Sequence, residues 1–182
     1  VVITVIPPPT TTADTQIFCE TDAATIDDLS VVETSTMEWY ANETDSTPIT
    51  PGTALTNGIY WGAQVDGTSG CLSASRLQVT VIIDLAPDAG TDGSYTECEI
   101  DAVTTDLFSR LGGTPDITGS WTGPSTLTGG YLGTYDPAVN TVGAYTYTVA
   151  STEDVCAEAS ASVTVVITVI PPPTTTADTQ IF

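Results

Sequence analysis

Ser162-Val163-Thr164-Val165-Val166-Ile167-Thr168-Val169-Ile170 places Val163, Val165, Ile167 and Val169 on one side and Thr164, Val166, Thr168 and Ile170 on the other. A period of two is the pattern of a half-buried β-strand. Three prolines follow, Pro171 to Pro173, and none can donate to a strand ladder. The run Pro-Pro-Pro-Thr-Thr-Thr favours an extended polyproline geometry rising roughly 3.1 Å per residue, which predicts a short stiff spacer. Working outward, Val165 to Phe182 repeats Val1 to Phe18 without one substitution. The offset, 165 − 1 = 164, makes the chain one 164-residue unit plus the opening of the next. Such a match points to a tandem array or a head-to-tail polymer, arrangements more often fibrous or adhesive than enzymatic. Residues 1–6 are then expected to be the last strand of a preceding repeat and residues 7–13 a Pro/Thr linker. Residues 171–182 would be the next linker and the start of the next repeat.

Composition narrows the chemistry. Asp and Glu number 23 against two basic residues, Arg76 and Arg110, for a formal net charge of −21. Nucleic acid and anionic membrane surfaces are therefore poor partners, and cations, cationic surfaces and neutral polymers such as glycans suit the charge better. With no His, histidine general bases and His-bearing zinc sites are excluded. With no Lys, so are Schiff-base chemistry and lysine isopeptide cross-links. No apolar run approaches the roughly 18 residues that a membrane-spanning helix requires. No signal peptide is visible, as expected of an internal piece of a longer chain. Four cysteines, none in C-x-x-C spacing, favour two disulfides in an oxidising compartment, with free buried thiols as the alternative.

The rest of the chain reads as short strands separated by turns, with no convincing 3.6-residue period. Strands are expected near residues 14–19, 24–32, 37–41, 59–65 and 77–85. Met37, Trp39 and Ala41 point inward and Glu38 and Tyr40 outward; Ile59, Trp61, Ala63 and Val65 share a face, as do Leu77, Val79, Val81, Ile83 and Leu85. Asn57-Gly58 is a hairpin-type turn signal. The pattern breaks at Leu85-Ala86-Pro87-Asp88-Ala89-Gly90, and a second series follows near residues 94–99, 102–107, 119–122, 131–135, 144–149 and 160–170. The predicted fold class is all-β, with two tandem sandwich modules per repeat, residues 14–85 and 86–170.

Each module carries the order Cys, Trp, Cys: Cys19, Trp39, Cys71, then Cys98, Trp121, Cys156. This resembles immunoglobulin domains, where a core Trp packs near a disulfide. The resemblance and the module boundary together pair Cys19 with Cys71 and Cys98 with Cys156. No Tyr lies two residues before either second Cys, so the bridges are expected near strand ends. Closing loops of this size would stabilise each module by about 4 kcal/mol on the chain-entropy model.

More closely, Trp39-Tyr40-Ala41, Thr47-Pro48, Ala54-Leu55-Thr56-Asn57-Gly58, Tyr60, Gln64, Gly70-Cys71, Ser75-Arg76 and Val79-Thr80-Val81 carry a resemblance. They are similar to an Ig-like domain class of large repetitive Bacteroidetes surface proteins, many exported with a gliding-type C-terminal sorting domain. Ala89-Gly90-Thr91-Asp92-Gly93, Leu111-Gly112-Gly113-Thr114-Pro115, Gly119-Ser120-Trp121, Tyr135-Asp136-Pro137 and Gly143 to Val149 resemble a companion domain of the same proteins. The resemblance implies an extracellular stalk, adhesin or filament, and no activity of its own.

Several residues are candidates for chemistry. Asp27-Asp28 and Glu153-Asp154 are carboxylate pairs of the kind that can flank a glycosidic bond. Asp84, Asp88 and Asp92 surround a glycine-bearing loop at the module boundary and could supply oxygens to calcium, the one cofactor the sequence suggests, although no EF-hand spacing is present. Tyr40, Tyr131 and Tyr135 could stack on sugars, while Trp39, Trp61 and Trp121 read as core. Asn42-Glu43-Thr44 has the form of an N-glycosylation sequon, and Asp45-Ser46-Thr47 resembles a Bacteroidetes O-glycosylation sequon, with Ser46 as acceptor. The reading that unites these features is a non-catalytic repeat of an extracellular filament or adhesin stalk. Its partners would be copies of itself and surface glycans. The alternative is a glycan-binding module pair attached to a secreted enzyme.

Overall fold

β-branched and aromatic residues at alternating positions make ten strands, and four short 3-10 turns are the only helical segments among the described residues. The computed structural model describes residues 5–33, 35–99 and 101–169. The strand expected over residues 1–6 lies mostly outside the described residues, as does the whole of the expected linker and repeat start at 171–182. The chain is all-β and divides into two Ig-like sandwich units. Unit 1 comprises Val1–Ala86 with Ser151–Ala157, and unit 2 comprises Pro87–Ala150 with Glu158–Phe182. The excursion of residues 151–157 into unit 1 was not anticipated from the sequence.

Unit 1 is built on one four-stranded sheet in the order β1-β4-β3-β2, from Thr15–Cys19 (β1), Met37–Tyr40 (β2), Gly58–Gln64 (β3) and Leu77–Asp84 (β4). β1 runs parallel to β4, with Thr15 beside Thr80 and Cys19 beside Asp84. The other pairings are antiparallel. Val79 and Val81 are buried on one face of β4, as alternation requires. They pack with Trp39, Ile26, Leu29 and Leu55. The opposing layer is thin. In place of the strand expected over residues 24–32 there is a single bridge, Thr25 to Ala54, and a 3-10 turn, Ile26–Asp28. The cause is local. The Asp28 carboxylate accepts hydrogen bonds from both the backbone N–H and the hydroxyl of Thr25 (2.7 and 2.9 Å), closing a capping box that competes with extension.

Unit 2 has two sheets. The larger, in the order β5-β10-β9-β7, comprises Gly93–Cys98 (β5), Ser120–Thr122 (β7), Gly143–Val149 (β9) and Ala159–Thr168 (β10). The smaller joins Thr105–Asp106 (β6) to Thr134–Tyr135 (β8). β10 runs antiparallel to β9 and parallel to β5. Tyr145, Val163 and Val165 from the larger sheet meet Leu107 and Tyr135 from the region of the smaller one, so the core lies between the two layers. Tyr145, Tyr147 and Val149, at alternating positions of β9, are all buried. On β10 the expectation holds for Val163 and Val165, weakens at the half-buried Ile167, and fails at the exposed Val169. Val169 lies one residue beyond β10, where no ladder fixes its orientation.

Alternation also misplaces Tyr40. It was expected to face solvent, yet it is 1 % exposed. Arg76 lies over its ring at 3.5 Å and donates to the backbone carbonyls of Asn42 (2.9 Å) and Asp45 (2.6 Å). A guanidinium from a distant connection thus roofs the outer face of β2. Ile59 is exposed although Ala63, expected on the same face, is buried, and Tyr60 packs against the core of unit 1. Leu85, expected on the face of Val79 and Val81, is likewise exposed, one residue past β4.

Candidate functional site

Two places in unit 1 are elaborately bonded. At the arriving end, the Pro/Thr segment does not hang free. Pro9 is buried. The Thr10 N–H and hydroxyl donate to the two carboxylate oxygens of Glu33 (2.9 and 2.7 Å), and the Val32 N–H donates to the Thr10 carbonyl (3.0 Å). Thr11 donates to the Ser30 carbonyl (3.1 Å). Gln16 then exchanges two 2.8 Å hydrogen bonds with the Ser30 backbone. The Thr10 backbone bond, and after it the Thr10 hydroxyl, hold the Glu33 carboxyl below its ordinary range.

The second bonded locus is in unit 1 at the far end of β1. Cys19 is disulfide-bonded to Cys156, with Cα atoms 5.0 Å apart. Both residues are buried. This overturns the expected pairing of Cys19 with Cys71 and Cys98 with Cys156. Cys71 is an exposed free thiol and Cys98 a half-buried one. The expected pairing kept each bridge within a sequence-contiguous module, whereas residues 151–157 belong to unit 1. Asp84, beside Cys19 in the β1–β4 register, organises that segment. Its carboxylate accepts from the Ser151 hydroxyl and from the Glu153 N–H (3.3 Å), and Ser151 in turn accepts from the Cys156 N–H (3.3 Å). Asp154 turns the loop in the left-handed region at φ 58°, a conformation that Asp tolerates better than most residues. No spacing motif announces this arrangement; the buried serine and carboxylate meet only after folding.

The remaining candidates fall into place individually. Asp84 belongs to unit 1, and Asp88 and Asp92 to unit 2. Asp88 accepts from the Gly90 N–H (2.7 Å) and Asp92 from the Ser162 N–H (2.7 Å). Among the described residues no group of three or more Cys, Asp or Glu side chains is arranged to hold a metal ion. Of the carboxylate pairs, Asp28 is consumed by its capping box, and Asp27 accepts from the Gly52 N–H (2.8 Å). Ser46 is exposed on the loop that Arg76 anchors.

The tyrosines expected as sugar platforms are mostly structural. Tyr135 is 1 % exposed and stacks edge-on with Tyr95 and Tyr145. Tyr40 is covered as described. Tyr131 alone of the three reaches solvent, and its ring packs edge-on against Phe108. Trp39 is core as expected, whereas Trp61 and Trp121 are half-buried. Trp121 donates to the Tyr131 carbonyl (2.8 Å) and lies against Tyr147. Gly133, at φ 60°, leaves room for that indole where a Cβ would collide with it. Unit 2 also bears a groove of about 500 Å³ beside Tyr135, Val142, Ile167 and Val169, and among the described residues Glu99 is the one carboxylate that lines it.

No curated protein is a significant match to the chain. Residues 7–84, which span the docked Pro/Thr segment and the four-stranded sheet of unit 1, match a family described as "Ig-like domain CHU_C associated", and it is to this family that unit 1 is similar.

Proposed function

We propose that this chain is a structural repeat of an extracellular filament or adhesin stalk, built from tandem Ig-like units and performing no catalysis. The observation that carries the reading is the duplicated 18-residue stretch, whose first copy is in part bonded into unit 1 rather than dangling from it. A second copy at the other end of the chain offers the same bonding set to a following unit. The Ig-like family match and a buried disulfide support an oxidising, extracellular or cell-surface setting. Among the described residues no helix is long and apolar enough to cross a membrane. Copies of the same chain are the principal partner. Intact mass of the native protein under denaturing, reducing conditions tests the reading. A mass of many repeats supports it, and a single-repeat mass would replace the covalent array with a polymer of subunits. Electron microscopy should show long fibres with a regular axial repeat; isolated globular particles would count against a filament.

A further inference from the structure

Two thiols remain outside the bond that Cys19 makes, and the strand order fixes which end of its unit each occupies. In unit 1, β1 and β4 run parallel, so the chain reaches β1 at the Leu77 end of the sheet. β3 runs antiparallel to β4 and pairs Gly62 with Leu77. Its continuation, the 65–76 connection bearing Cys71, therefore leaves from that same end. The exposed Cys71 thus stands where the chain arrives. In unit 2, β10 and β5 run parallel and finish together, Thr168 beside Cys98, with the Glu99 N–H donating to the Thr168 carbonyl (3.0 Å). Cys98 thus stands where the chain departs.

We propose that Cys98 of one repeat is disulfide-bonded to Cys71 of the following repeat; this rests on the tandem-repeat reading above. The length of chain between the two ends favours the pairing. Hydrogen bonding to unit 1 begins at Thr10, whose equivalent in the duplicated stretch is Thr174. Only residues 169–173 separate Thr168 from that position, so the departing end and the next arriving end are at most about 22 Å apart along the chain. A longer spacer would leave the two thiols to find each other at random; a short one raises their effective concentration toward each other. Each thiol is within reach of solvent, and so of an oxidant.

Bond formation needs an external disulfide, either a small-molecule disulfide or an oxidised dithiol protein of the exporting compartment. The Cys98 thiolate attacks that disulfide, forming a mixed disulfide and expelling one thiolate. The Cys71 thiolate of the next repeat then attacks the Cys98 sulfur and expels the second. The oxidant is reduced to two thiols, which take up the two protons, and one protein disulfide is formed.

The native protein, blocked with an alkylating reagent and cleaved at Asp and Glu without reduction, should yield a Cys71–Cys98 peptide pair beside the Cys19–Cys156 pair. A protein of two joined repeats then identifies the partners. Cys71→Ser in the second repeat should free Cys98 of the first, whereas Cys71→Ser in the first should leave the junction bond intact. Retention of the Cys19–Cys156 bond in both variants shows that unit 1 still folds. Alkylation of every Cys71 and Cys98 in the native protein would overturn the proposal, as would loss of the bond when only the first repeat is changed. Free thiols in a chain of many repeats remove the disulfide alone; a single-repeat mass removes the tandem reading and this proposal with it.

Discussion

The side chain of Asp84 is only 7 % exposed, and it accepts from the Ser151 hydroxyl and the Glu153 N–H. Burial of a carboxyl group is tolerated when hydrogen bonds replace its lost hydration. Asp84→Ala would leave the Ser151 hydroxyl and the Glu153 N–H without their acceptor, so unit 1 should lose about 2–3 kcal/mol in urea unfolding while Cys19–Cys156 still forms. A loss below a few tenths of a kcal/mol would show the carboxylate to be dispensable. Chelator tests the calcium reading of Asp84, Asp88 and Asp92: a lowered melting temperature supports it, and an unchanged melt leaves each carboxylate to the protein donors that engage it. At this scale the sequence was least legible. Asp84 could be singled out as an unusual acid, but its partner lies 67 positions away in a loop with no motif. Tyr40 misled for the same reason, since the arginine that covers it comes from a separate connection.

Strands were more legible than their surroundings. β1, β2, β4, β9 and β10 each fall within a residue or two of expectation, because alternating β-branched and aromatic residues leave little choice of conformation. Residues 24–32 failed because short-range Asp and Thr hydrogen bonds outcompete a weak alternation. Proline content predicts a stiff Pro/Thr spacer and says nothing of its docking. Its docking has a pH consequence. Hydrogen bonds from Thr10 stabilise ionised Glu33, whose carboxyl pKa is lower folded than unfolded. That contribution is complete above the ordinary glutamate pKa and is lost as pH falls through the lowered folded value. Amide exchange at Thr10 and Val32, corrected for the intrinsic pH dependence, should therefore quicken on acidification, and Glu33→Gln should flatten the effect. Identical pH profiles for the two proteins would mean that the carboxylate charge does not hold the segment.

At the scale of the whole molecule, the repeat period and the charge of −21 were legible outright, being properties of the letters alone. The disulfide was not, because it joins positions 137 apart and ignores the order of the modules. On chain-entropy grounds a loop of that size is worth about 5 kcal/mol to the folded state. Its larger consequence concerns tension. If the chain is pulled by its two ends, load runs through β1 to Cys19, crosses the sulfurs to Cys156, and leaves along β10. The chain between them lies off the load path, so rupture of both sheets would still release only the short terminal segments. At roughly 3.3–3.6 Å per extended residue, the bond withholds about 450–490 Å of length. Single-molecule stretching should recover that length only after a reductant is added, and equal extensions with and without it would refute the shortcut. A fibre made of such units would stretch little before its covalent backbone itself bore the strain.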